Sequence, residues 1–91
     1  MAKSKTYNVY ADPSHAWVKV KVAELDKLGI SKYITPFSYV RGDYAYLEED
    51  QDASTFIDEL ERRGVSPKFK FHRTDKQSKI RGYASFPERS I

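Results

Sequence analysis

The sequence predicts an α+β domain: a mainly antiparallel sheet, in ββαββαββ order, with two helices packed on one face. Three observations lead there. Short runs alternate side-chain character at 7–11, 16–20, 37–48, 67–72 and 79–86. Two other stretches, 22–28 and 52–63, repeat apolar residues at helical spacing. Gly or Pro stands at most of the junctions between them.

In chain order, residues 1–5 read as a basic tail. Thr6–Ala11 is the first strand, with Tyr7, Val9 and Ala11 on one face and Asn8 and Tyr10 on the other. Asp12-Pro13-Ser14-His15 is a turn, because Asp initiates turns and Pro presets the backbone angle. Ala16–Val20 returns as the second strand, with Trp17, Lys19 and Lys21 pointing outward. Val22, Leu25 and Leu28 mark a short helix that Gly29 caps and Ile30 packs against. Pro36 then opens a second hairpin.

That hairpin carries the firmest local signal. Gly42-Asp43 suits a type II′ turn, whose twist matches paired strands. A two-residue turn pairs Arg41 with Tyr44, Val40 with Ala45 and Tyr39 with Tyr46. Ser38, Val40, Ala45 and Leu47 then share one face, and Phe37, Tyr39, Arg41, Tyr44, Tyr46 and Glu48 the other. Such aromatic pairs stabilise a sheet on their own, or they form a stacking surface.

Asp52 is placed to N-cap the second helix. Ala53, Phe56, Ile57 and Leu60 form its apolar stripe, and Gly64 ends it. The acids Glu48, Glu49, Asp50 and Asp52 suit its positive end, and Arg62 and Arg63 its negative end. Pro67 starts a strand with Phe69 and Phe71 inward and Lys68, Lys70 and His72 outward. Lys79–Phe86 alternates again, with Ile80, Ala84 and Phe86 on one face and Arg81, Tyr83 and Ser85 on the other. Residues 87–91 read as a second tail, and 1–91 as a single domain.

Composition narrows the function classes. At 32% charged and 40% hydrophobic residues, the chain is that of a folded globule. It has no cysteine, hence no disulfide and no thiolate chemistry. No run is long enough to span a bilayer and the N-terminus has no apolar signal core, so a cytoplasmic location and no membrane contact are expected. Charge is uneven: the net is +4 over 1–41, −8 over 42–61 and +7 over 62–91. That layout points to an electrostatically directed partner, or to compensation within the fold.

Catalysis has little support, and the chain is read as a non-enzyme without cofactor or metal. His15 and His72 are the only histidines. Asp12, Ser14 and His15 lie too close in sequence for a triad, and the turn already explains two of them. The acidic run lacks the glycine and spacing of a calcium loop. The stronger constellation is collective: Trp17, Lys19, Tyr39, Arg41, Tyr46, Lys68, Lys70, Arg73, Lys76, Lys79, Arg81 and Tyr83. Most fall on the face away from the helices, alongside Tyr10 and His72. Cations hold phosphates and aromatic rings stack bases. Ordinary alternation with aromatic packing explains the same pattern without a ligand.

The blocks Tyr7-Asn-Val-Tyr-Ala-Asp-Pro-Ser-His-Ala-Trp-Val-Lys-Val, Tyr46-Leu-Glu-Glu-Asp-Gln-Asp and Ser78-Lys-Ile-Arg-Gly-Tyr resemble small accessory proteins of phages and mobile elements. In size and style the chain is similar to phage anti-CRISPR inhibitors. That resemblance implies a non-enzymatic protein in the host cytoplasm. It would bind a host nucleoprotein complex carrying a guide RNA and block its access to nucleic acid. The alternative is a small phage module that binds RNA or single-stranded DNA directly.

Overall fold

Six strands form one sheet in the order β5-β1-β2-β4-β3-β6, in a computed structural model that describes residues 3–86. The strands are β1 (Lys3–Ala11), β2 (Ala16–Lys21), β3 (Tyr39–Arg41), β4 (Tyr44–Glu48), β5 (Val65–Arg73) and β6 (Ala84–Ser85). The helices are α1 (Val22–Leu28) and α2 (Asp52–Arg62). Two 3-10 turns, Ser31–Tyr33 and Lys79–Gly82, interrupt the expected succession.

The architecture is α+β, but the sheet is mixed. β1 pairs antiparallel with β2 and parallel with β5, in a register running from Lys3↔Val65 to Ala11↔Arg73. The crossover from β4 through α2 returns the chain to the far side of β1, in the same direction. Part of the expected N-terminal tail is therefore structured, because Lys3, Ser4 and Lys5 pair along β5. Residues 1–2 and the expected tail 87–91 lie outside the described residues.

The central hairpin forms as its turn chemistry dictates. Gly42 has φ +59°, no non-glycine residue among the described residues has positive φ, and Tyr39, Val40 and Arg41 pair with Tyr46, Ala45 and Tyr44. One face of the sheet meets both helices. Val9, Val18, Val20, Ala45 and Leu47 pack there with Leu25 of α1 and with Ala53, Phe56 and Leu60 of α2. Tyr7 meets Phe56 edge-on, with ring centroids 5.0 Å apart. Phe71, expected inside, is 67% exposed. It sits near the end of the edge strand, past Val65 and Phe69, which do pack on the helix-side core.

The last segment departs most from expectation. β5 and β6 lie at opposite edges, so residues 74–83 must cross the whole sheet. Five strand spacings amount to about 24 Å, which ten residues of chain can span. This strap runs over the face away from the helices. Ile80 plugs that face, and the chain then rounds the β3 edge, where the Phe86 amide donates to the Ser38 carbonyl at 2.7 Å. Phe86 thus enters the helix-side core while Ile80 stays opposite. A single strand over 79–86 would have put both on one side.

Asp52 is also used differently. It is the first residue of α2 rather than its cap, and its side chain is fully buried. Its carboxylate accepts from the Thr35 amide at 3.1 Å, the Thr35 hydroxyl at 2.8 Å and the Ser38 hydroxyl. The Ser38 oxygen in turn accepts from the Glu48 amide at 3.0 Å. Asp52 therefore ties the segment leading into β3 to the start of α2. Asp52→Ala leaves three neutral donors without their acceptor and should cost about 3 kcal/mol or more, at roughly 1–3 kcal/mol for each unsatisfied group, against about 1 kcal/mol for a lost N-cap. Urea denaturation separates the two, and a loss at or below the smaller figure would refute the clamp.

Candidate nucleic-acid interface

The face away from the helices is built by register. Across it, Lys70, Asn8, Lys19, Tyr46 and Tyr39 form one row from β5 to β3. Lys68 and Thr6 pair beside it, as do Lys21, Tyr44 and Arg41. His72, Tyr10, Trp17 and Glu48 form the row on the other side.

The strap divides this face in two. Under it lie most of the aromatic rings. Trp17 is 2% and Tyr46 8% exposed, packed with Ile80 as a second core. Tyr10, Tyr39, Tyr44 and Tyr83 are half-buried around them. The Tyr83 and Tyr46 rings lie 5.2 Å apart, and Trp17 meets Tyr39 edge-on at 6.2 Å. Of the two readings of these rings, an open stacking surface or aromatic packing within the sheet, the structure has the second: they are the core beneath the strap. Burial of its ring, and then the neighbouring Tyr83 and Tyr10, push the Tyr46 hydroxyl above its usual range, so it stays neutral.

One carboxylate holds the strap down. Asp12 accepts from the Ser14 and His15 amides at 3.0 and 2.9 Å, as the turn requires. It also accepts from the Ser78 amide at 3.0 Å and from Arg81, through Nε at 2.7 Å and Nη2 at 3.1 Å. Arg81 further donates to His15 Nδ1 at 2.8 Å and lies 5.5 Å from the Trp17 ring centroid. Arg81 and then Ser78 hold the Asp12 carboxyl far below the usual carboxylate range. Asp12 was legible only as a turn residue, because its two remote partners lie more than sixty positions away.

The uncovered half is basic. Lys21, Arg41, Lys68 and Lys70 are exposed and Lys19 is half-buried, with its ammonium 4.2 Å from the Tyr44 ring centroid. Arg41 lies 5.0 Å from the Tyr83 ring centroid. Glu48 is the only carboxylate these strands put on this face, and it sits at the far end beside Trp17. Lys21 belongs to this group by register, although only Trp17 and Lys19 of that strand stood among the expected site residues.

The other expected cations separate. Arg73 pairs with Ala11 and points to the helix side. Lys76 and Lys79 are exposed on the strap. His72 stacks on Tyr10 at 4.9 Å, with Nε2 3.1 Å from Asn8 Oδ1. Neither histidine lies in a base–nucleophile arrangement, and no cluster of metal-ligating side chains occurs among the described residues. No helix among them is long and apolar enough to cross a membrane.

No family model, curated protein or solved structure matches the chain. Function therefore has to be read from the interface itself.

Acid should loosen the strap. With its folded value depressed, Asp12 contributes its full stabilisation above the unfolded carboxylate value of about 4, and loses it as pH falls below that. Trp17, the single tryptophan, reports the opening through a red-shifted emission. Arg81→Gln should move that shift to higher pH. Solvent-like Trp17 emission at neutral pH in the parent would refute a closed strap.

Proposed function

We propose that the protein is a non-enzymatic binder that grips the nucleic-acid backbone of a host nucleoprotein complex through the uncovered, basic half of its sheet. The observation that carries this reading is the row structure of that half. Lys19, Lys21, Arg41, Lys68 and Lys70 project from three strands on one side, with no carboxylate among them. Lysines separated by two strand spacings stand about 10 Å apart, a rigid array of point charges suited to successive phosphates.

The covered aromatic rings shape the expected mode. Trp17 and Tyr46 are buried and cannot stack a base while the strap is closed. Recognition then falls to phosphates, which position a ligand without reading its sequence. Sequence choice, where it exists, comes from the partner complex. The resemblance to anti-CRISPR inhibitors supports a guide-RNA complex as that partner. Free RNA or single-stranded DNA is the simpler ligand for the same charges.

A mobility-shift titration against free RNA, free single-stranded DNA and a loaded guide-RNA complex separates these outcomes. Each neutralised phosphate on a single strand contributes about −0.7 to the log–log salt slope. Lys68→Gln with Lys70→Gln should therefore weaken binding and flatten the slope by about 1.4. Arg73→Gln, on the other side of the sheet, should leave both unchanged. Binding that is indifferent to salt and to Lys68 and Lys70 would overturn the proposal.

A further inference from the structure

β1 is longer than its neighbour, and the mismatch opens a cleft. The ladder with β2 begins at Asn8↔Lys19, and β2 gives way to α1 at Val22, while β1 continues back to Lys3 along β5 alone. Between the early part of β1 and α1 lies a cavity of about 570 Å³. That volume is within the range of small-molecule sites, about 300–1,000 Å³. Lys5 and Tyr7 line it from β1, Ala23, Glu24 and Lys27 from α1, and Lys19, Lys21 and Tyr44 from the basic face.

Its charge is concentrated and only partly compensated. Four lysines face one carboxylate. Glu24 is already engaged, accepting from the Tyr7 hydroxyl at 2.6 Å and from the Lys5 ammonium at 3.4 Å. Burial and then Glu24 raise the Tyr7 hydroxyl far above its usual range, so it remains a neutral donor and keeps Glu24 in place. Lys19, Lys21 and Lys27 make no ion pair among the described residues. Three uncompensated ammonium groups around a concavity call for more negative charge than one phosphodiester supplies.

We infer that this cleft binds a phosphate monoester carried on a nucleoside: the terminal phosphate of a nucleic-acid strand, or a free mononucleotide. A monoester carries about −1.5 to −2 charges at neutral pH, against −1 for a diester. The three lysines match that dianion, and Tyr44 lines the rim with the Lys19 ammonium over its ring. For a strand end, the inference rests on the backbone reading above, because Thr6, Asn8, Lys19 and Lys21 belong to both the cleft and the basic face. A strand whose end enters the cleft then leaves directly onto the basic face, toward Lys68 and Lys70 on the β5 side or toward Arg41 on the β3 side.

The test uses the full chain and one short single-stranded RNA made with a 5′-phosphate, a 3′-phosphate or hydroxyls at both ends. One phosphorylated form should bind about tenfold or more tighter than the hydroxyl form, the gain from seating a dianion among lysines. Lys27→Gln, and Ala23→Glu at an exposed cleft position, should abolish that ratio and leave hydroxyl-ended binding unchanged. Lys68→Gln with Lys70→Gln should weaken all three RNAs and keep the ratio. Adenosine monophosphate should shift the amide resonances of residues 5–8 and 19–27, and adenosine should not. If no RNA binds but the mononucleotide does, the cleft stands with a free nucleotide as ligand and the backbone reading fails. Equal affinity for all three RNAs, with no shift from the mononucleotide, overturns the cleft even if RNA binds.

Discussion

The carboxylate of Asp12 joins two parts of the chain that lie more than sixty positions apart, the β1–β2 turn and the strap. Two of its five hydrogen bonds close the β1–β2 turn, and the other three come from Ser78 and Arg81 of the strap. A strap that crosses an entire sheet has few backbone partners of its own, so it needs a strong anchor along the way. A carboxylate whose oxygens take a two-point guanidinium contact provides one. With the strap held there, Ile80 covers Trp17 and Tyr46, and the second core becomes dry. Without it, those rings would face water and the sheet would show an aromatic patch beside the basic one.

The division of charge follows from the same geometry. The acidic stretch 42–61 leads into α2, whose Glu59 pairs with Arg62 at 3.0 Å and Arg63 at 2.6 Å. These surface pairs contribute little, because solvent screens them. Of the acids in that stretch, Glu48 is the one carried by a strand, on the face of Lys19, Lys21, Arg41, Lys68 and Lys70. Segregation of sign, rather than neutralisation, is what the fold makes of a modest net charge of +3. The basic face and the cleft at the end of β2 share residues, so one electrostatic surface serves both.

Local readings carried over well where the physics was local. Gly29 at φ +74° ends α1 as expected, and the Gly42 turn sets the hairpin register directly. The stripe Ala53, Phe56 and Leu60 is buried because helical spacing puts it on one side. The readings that changed all involve distant partners. Asp52 looks like a cap from its neighbours, yet it is committed to Thr35 and Ser38. Arg81 alternates with Ile80 like a strand residue, yet a carboxylate 69 positions earlier draws the segment into a 3-10 turn.

Patterning by itself determined which residues are strand and helix in most of the chain, and which face each takes, because alternation and helical period are properties of a few consecutive residues. It also determined that Lys68 and Lys70 lie on the face away from the helices. Only the tertiary structure decided that β5 runs parallel to β1, since strand direction depends on where the crossover through α2 returns. It alone decided that the aromatic rings are covered, because a strap between opposite edges must pass over one face, and a sequence does not record which. The cleft likewise needed three dimensions: it exists because β1 outlasts β2, a mismatch that appears only once the two strands are paired.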